Sequence, residues 1–177
     1  MTIQIRIERT DDYAVTETVI QSAFLNEEFS DQKEHLLVSR LRKSDAFIPE
    51  LSLVAVDTND EIVGHILLSK IKIVDGSNAA ESLALAPVSV SPEHQSQGIG
   101  SQLIRAALQK AAELGHRSVI VLGHSDYYPK FGFKPASQWN IKAPFEVPNE
   151  AFMALELTDG SLEHVTGVVQ YSQAFLD

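Results

Sequence analysis

Residues 92–104 read PEHQSQGIGSQLI, and their types suit the capture of an anion. The first turn of a helix presents N–H groups without helical partners and the positive end of the helix dipole. Gly98 and Gly100 remove Cβ atoms from that approach, Gln95 and Gln97 add neutral donors, and Ser101 adds a hydroxyl. A dinucleotide fingerprint would need a third glycine where Leu103 stands, and an acidic residue after the next strand, where Gly123 and His124 stand instead. A triphosphate loop would need Gly-Lys-Ser/Thr, and no lysine lies between Gly98 and Lys110. A pyrophosphate held by backbone amides needs neither. A plain glycine-bearing loop before an ordinary helix is the alternative that the loop alone leaves open.

The bulk numbers narrow the classes. The chain has 177 residues, which predicts a single domain over 1–177 with a real core. Its formal net charge of −10 argues against nucleic acid and anionic membranes as partners. An anion must therefore be met by local donors. There is no cysteine, which removes disulfides, a thiolate nucleophile and Cys-based zinc sites, and fits a cytoplasmic setting. The six histidines form no H-x₃-H or HExxH pattern, so no metal is expected. No G-x-S-x-G elbow points to a serine hydrolase. The opening MTIQIRIERTDDY alternates Ile3, Ile5 and Ile7 like a strand, with Arg6 and Glu8 interrupting any leader-like run.

These groups need elements to position them. The spacing predicts a strand over 2–9, then a helix capped by Asp11 or Asp12 and running to about Leu25. A second helix is expected over 32–43, with Leu36, Leu37 and Leu41 on one stripe. LSLVAVD (51–57) and EIVGHILLSKIKIV (61–74) read as an antiparallel hairpin, and LALAPVSV (83–90) as a fourth strand. His65 reads as a satisfied sheet histidine. Residues 98–114 form the strongest helix, burying Ile99, Leu103, Ala106, Ala107, Ala111 and Leu114, and Gly115 stops it. SVIVLGH (118–124) is an unbroken apolar strand, as a buried parallel neighbour requires. SDYYPKFGF gives a short helix and turn, the region 135–150 with its three prolines reads as loop, and strands follow at 152–157 and 165–171. The sum is a mixed α/β sheet with helices on both faces.

The spacing Gln95-x-x-Gly98-x-Gly100, set in LALAPVSVSPEHQSQGIGSQLIRAAL and followed by YYPKFGF, resembles the signature of the GNAT superfamily of acetyl-CoA-dependent N-acyltransferases. The likeness covers most of the chain and is weakest over 135–177. Within the superfamily, LAPVSV…LGHSDYYPKFGF and the VTGVVQYSQAF tail look most like the bacterial YhbS-like group. The resemblance implies a mostly antiparallel central sheet with a splay between strands 4 and 5. It also implies acetyl-CoA as cosubstrate and a small-molecule or peptide amine as acceptor, and it leaves a homodimer open.

Residue by residue, the resemblance places the pantetheine arm of CoA on the backbone of Val88, Ser89 and Val90, and the Val90 amide against the thioester carbonyl. Pro87 inside that strand fits an edge or bulge. The run Gln95, Ser96, Gln97, Gly98, Ile99, Gly100 and Ser101 takes the pyrophosphate, with Phe131 flanking the CoA arm and Lys130 or Arg105 offered to the 3′-phosphate. Tyr128, four residues before Gly132, falls where the family carries its general acid. A phenol titrates near about 10 and a thiol near about 8.5, so the tyrosine holds a proton for the leaving sulfur at neutral pH. Tyr127 is its neighbour and competitor. His124, at the end of the fifth strand, is the candidate base; Glu81 and Glu34 stay open for that role, and His94 for a phosphate contact. The rival reading is a non-catalytic acyl-CoA-binding or sensor module on the same fold.

Overall fold

The computed structural model describes residues 2–27 and 30–176. The chain forms two compact units, Met1–Leu68 with Ala86–Lys110, and Ser69–Leu85 with Ala111–Asp177.

The first unit is built on β1 (Gln4–Ile7), β2 (Ser52–Val56) and the start of β3 (Ile62–Asp75). β1 and β2 run antiparallel from Gln4↔Val56 to Ile7↔Leu53, and β2 and β3 from Ser52↔Leu67 to Val56↔Ile62, so the expected hairpin is present. Two helices pack on each other, α1 (Tyr13–Phe24) and α2 (Glu34–Arg42). Ile20 and Leu41 are fully buried, each contributing about 2 kcal/mol of apolar burial. Two expectations fail here. Asp12 does not cap α1: its carboxylate turns back to accept from the Arg9 amide at 2.8 Å and from Arg6 at 2.7 Å. The Arg6 guanidinium holds the Asp12 carboxyl below the usual carboxylate range. The buried stripe of α2 is Val38 and Leu41, while Leu36 is 44% exposed, because at about 100° per residue Leu36 lies roughly 140–160° around the helix from both.

A buried polar cluster sits under these helices. Glu8 and Arg42 pair at 2.6 Å with side chains almost wholly out of solvent, and Arg42 also reaches Glu17 at 2.8 Å. The Arg42 guanidinium lies 3.9 Å from the centroid of the Tyr13 ring. Ser52 Oγ donates to Glu8 at 2.7 Å and lies 3.0 Å from His65 Nε2. His65 is thus only half satisfied, since its Nδ1 has no partner.

The second unit continues β3 and holds most of β4 (Asn78–Val90), which starts five residues before the expected Leu83. β4 pairs in parallel with β5 (Ser118–Leu122) at Leu83↔Val119 and Ala84↔Ile120. β4 then continues to Val90, so the two strands part, as the splay requires. β5 pairs antiparallel with β8 (Phe152–Glu156), which also takes β6 (Lys134–Pro135). β9 (Gly167–Gln170) pairs antiparallel with Lys72–Val74 and parallel with β7 (Ile141–Lys142). The stretch 135–150 is therefore not all loop: it holds part of β6, a turn of 3₁₀ helix at Ala136–Trp139 and β7. The helix α3 (Ile99–Glu113) ends at Gly115, whose φ of +90° makes the expected stop. Ile104 and Leu108 join its buried face; Leu114 is 41% exposed.

Burial lowers the His65 pKa to about 4, with Arg42 acting in the same direction and Glu8 against it. An unfolded histidine titrates near about 6.5, so the unfolded chain takes up this proton first. His65 therefore favours the fold fully above that value, and the contribution is lost as pH falls toward 4, by up to about 3 kcal/mol. Urea unfolding at a series of pH values is expected to show a shallower slope through that window for His65→Gln than for wild type.

Candidate active site

In the first unit, β4 ends with Pro87 and Ser89 buried and Val88 and Val90 half-buried. The Ser91 amide donates to Val63 O at 2.8 Å, so Ser91 faces β3. Backbone direction alternates along a strand. Ser89 therefore also bonds toward β3, and the amides of Val88 and Val90 point to the opposite edge. The carbonyl of Val90 is already used, accepting from Gln95 Nε2 at 3.0 Å. Its N–H points to the same edge as that of Val88.

The loop after β4 is turned by two left-handed residues, Ser96 at φ +64° and Gly98 at φ +82°. Successive amides in such turns converge into an anion-binding concavity. No atom lies within 4 Å of a Cβ built on Gly98, so that side of the loop is open. The first helical bond of α3 runs from the Gln102 amide to Gly98 O at 3.1 Å. The amides of Ile99, Gly100 and Ser101 precede it, in the turn that has no acceptor inside the helix. The Ile99 side chain is 2% exposed and anchors the helix, leaving only its backbone for a ligand. Gln97 is exposed and Ser101 half-buried. His94 bonds Ser91 Oγ at 2.8 Å through Nδ1, a local contact.

In the second unit, β5 leads through Gly123 into a turn and a 3₁₀ helix, Tyr128–Phe131, closed by Gly132 at φ +102°. Tyr128 is 7% exposed, and burial first, with Tyr127 second, pushes its phenol up to about 12. Its ring meets Tyr127 edge-on at 5.1 Å and Phe133 at 5.7 Å, with Phe131 tilted at 6.4 Å. Lys130 rests its ammonium 4.2 Å from the Tyr127 ring centroid. His124 is exposed, and its carbonyl accepts from the amides of Tyr127 and Tyr128. Glu81 is exposed on β4, and Glu34 accepts from Ser30 Oγ at 2.5 Å on α2. Arg105 is exposed on α3.

Gly123 escapes a motif reading. A Cβ there would stand 2.3 Å from Tyr128 Cε2 and 2.9 Å from Cδ2, so the phenol ring lies directly on the glycine backbone. The only signal was a glycine between an apolar run and an aromatic pair. The same unit holds a cavity of about 730 Å³ lined by Ile141, Phe145, Glu146, Val147, Asn149 and Phe152 among others.

A mixed sheet whose β4 and β5 part after two pairs, with a glycine-turned helix start after β4 and a buried tyrosine after β5, defines the N-acetyltransferase class of α/β proteins. The chain matches the Acetyltransferase (GNAT) family over residues 17–133 and belongs to that family of acetyl-CoA-dependent N-acyltransferases. It is 31% identical over 153 residues to an uncharacterized N-acetyltransferase of Escherichia coli K12, YhbS, covering 86% of this chain and 89% of the relative. A second uncharacterized N-acetyltransferase of that strain, YjhQ, is 37% identical over 123 residues, covering 69% and 67%. Among solved structures, E. coli YhbS in complex with CoA matches with a TM-score of 0.88 at 26% identity, covering 99% of this chain and 92% of that one. A GNAT family acetyltransferase of Brucella melitensis in complex with acetyl-CoA matches with a TM-score of 0.80 at 34% identity, covering 98% of both chains.

Gly123→Ala is expected to destabilise the protein by about 1–3 kcal/mol, the usual range for overpacking. The loss should shrink when Tyr128 is also replaced by Ala. A double-mutant cycle in urea checks this, and an unchanged loss in the Tyr128→Ala background would place the clash elsewhere.

Proposed function

We propose that the protein transfers the acetyl group of acetyl-CoA to a primary amine, on a small molecule or a peptide, by direct attack in a ternary complex. The observation that carries this reading is Tyr128: a buried phenol, packed by aromatic rings and seated on Gly123, that keeps its proton across physiological pH. The reading takes residues 1–177 as one N-acetyltransferase domain, supported by a family match that draws on both compact units.

In this reading the amides of the 95–101 loop hold the pyrophosphate, and the outward edge of β4 at Val88–Val90 holds the pantetheine arm. The Val90 N–H polarises the thioester carbonyl, a fixed dipole aimed where negative charge develops. The amine nitrogen attacks the carbonyl carbon, the C–S bond breaks with its electron pair on sulfur, and Tyr128 protonates the thiolate. Burial that raises the phenol pKa also raises that of a thiol leaving into apolar surroundings, so the two stay matched. Phe131 flanks the CoA arm. His124, exposed at the end of β5, is the group the motif offers for the proton that the ammonium form must lose before attack. Without a cysteine to carry the acetyl group, direct transfer is the economical route. Both crystallised relatives above were solved with CoA or acetyl-CoA, which supports the donor.

Tyr128→Phe is expected to lower kcat at least about tenfold, within the range of lost acid catalysis, with acetyl-CoA affinity nearly unchanged. Steady-state kinetics over an amine panel checks it, and wild-type kcat in the variant sinks the acid assignment. CoA binding with no thiol release for any acceptor would favour a sensor module instead. Gly98→Val is expected to weaken CoA binding in calorimetry, because its side chain would occupy the open side of the loop.

A further inference from the structure

Four consecutive strands bring four polar side chains onto one face of the first unit: Glu8 after β1, Ser52 on β2, His65 on β3 and Ser89 on β4. The first three contacts are direct. The fourth follows from register. Glu8 N–H donates to Ser52 O at 2.8 Å, which turns the Ser52 backbone toward β1 and those of Leu53 and Ala55 toward β3. Their partners Ile66 and Gly64 bond back toward β2, so His65 bonds toward β4. Ser91 faces Val63, and Ser89 O comes within 3.0 Å of a Cβ built on Gly64. Ser89 therefore stands opposite His65, with the two side chains on a common face.

The proton positions in this chain are forced. Glu8 accepts from both Arg42 and Ser52. Ser52 donates its one hydrogen to Glu8, so it must accept from His65 Nε2, which then carries the ring proton. Nδ1 is left as a bare lone pair. Both His65 Nδ1 and Ser89 Oγ are buried without a hydrogen-bond partner, and Ser89 is 4% exposed. One is an acceptor, the other a hydroxyl with a proton to give, and the register sets their residues opposite one another on neighbouring strands. Unpaired buried groups of this kind cost about 1–3 kcal/mol each, so two facing one another call for a reason.

We propose that Ser89 and His65, backed by Ser52 and Glu8, form a buried relay that takes the proton of the attacking amine. This rests on the acyl-transfer reading above, in which Ser89 lies between the two residues whose amides meet the thioester arm. As the amine lone pair forms the C–N bond, its N–H becomes acidic. That proton passes to Ser89 Oγ while the serine's own proton passes to His65 Nδ1. The C–S bond breaks, its electron pair stays on sulfur, and the Tyr128 proton goes there. The products are amide and thiol; His65, wholly buried, hands its proton back out through Ser89, and the tyrosinate takes one from solvent. Glu8 stabilises the transient imidazolium; Arg42 opposes it, which favours release of the proton. Glu17 and Tyr13 face Arg42 from α1, and no other charged group is described in this cluster. His65 supports Ser89 from behind and acts as a positioning residue in this scheme.

The test compares Ser89→Ala and Ser89→Thr with wild type in kcat against pH, acetyl-CoA calorimetry, and ¹⁵N spectra of the histidines. Ser89→Ala is expected to lose kcat at least about tenfold near neutral pH. The loss should shrink as pH rises and hydroxide can take the N–H proton in place of the serine, with acetyl-CoA affinity unchanged. Ser89→Thr keeps the hydroxyl and is expected to keep most of the rate. The wild-type spectrum should show His65 neutral with its proton on Nε2. Wild-type kcat in Ser89→Ala at every pH, an equal loss at every pH, or a proton on Nδ1 would overturn the relay while leaving acyl transfer intact. A wild type that acetylates no amine would overturn the acyl-transfer reading and the relay with it.

Discussion

Every backbone N–H and C=O taken out of water must find a partner, and β4 leaves part of this demand unmet within its own sheet. One edge of the strand bonds to β3 up to Ser91, whose amide meets Val63 O. The other edge is met by β5 only at Leu83 and Ala84, although β4 runs on to Val90. The chain answers part of the remainder itself, since the Gln95 side chain donates to Val90 O. That bond does two things at once. It satisfies a carbonyl at the strand end and ties the start of the following loop to the strand. An extended polar molecule with alternating donors and acceptors is what such an edge can accept, and the pantetheine arm has that character.

The charge of the chain sharpens the role of the loop. At −10 the protein repels anions at a distance, so a pyrophosphate must be won at short range. Ser96 and Gly98 turn the backbone, α3 adds its first-turn amides, and no cation is required. Lys130, inside the 3₁₀ helix, already rests against Tyr127. Its ammonium contributes to the packing of the aromatic cluster that holds Tyr128. A contact with a 3′-phosphate would compete with that arrangement.

Much of this was legible in the sequence, and the reasons are local. The hairpin over β2 and β3, the helix α3 with its glycine stop, and the loop before it are all set by residues within a few positions of one another. What stayed hidden was long-range. Gly123 matters because of a ring that returns to it five residues later through a turn. His65 reads as an ordinary sheet histidine until Ser52 and Glu8, from two other strands, arrive beside it. Asp12 looked like a helix cap because its type and position suit one, but Arg6 and the Arg9 amide compete for the same carboxylate and win. Leu36 looked buried because the leucines were grouped by type, whereas the helix buries Val38 with Leu41 and carries Leu36 well over a quarter turn away.

The polar cluster of the first unit is expensive to keep. Glu8 and Arg42 are both withdrawn from water, and a pair of that kind rarely outdoes a well-packed apolar substitute in stability. Arg42 Nε, Thr16 Oγ1, His65 Nδ1 and Ser89 Oγ add unpaired polar atoms in the same unit. A core selected only for stability would replace such atoms with methyl groups, as the neighbouring strand positions already do with Leu53, Val54 and Ile66. The ion pair does, however, fix one thing that apolar packing cannot. It holds Glu8 where Ser52 can donate to it, and that bond decides which nitrogen of His65 carries the proton. A pair that adds little to stability can thus still set the tautomer two hydrogen bonds away. This explains why charge is retained where the fold alone has little use for it.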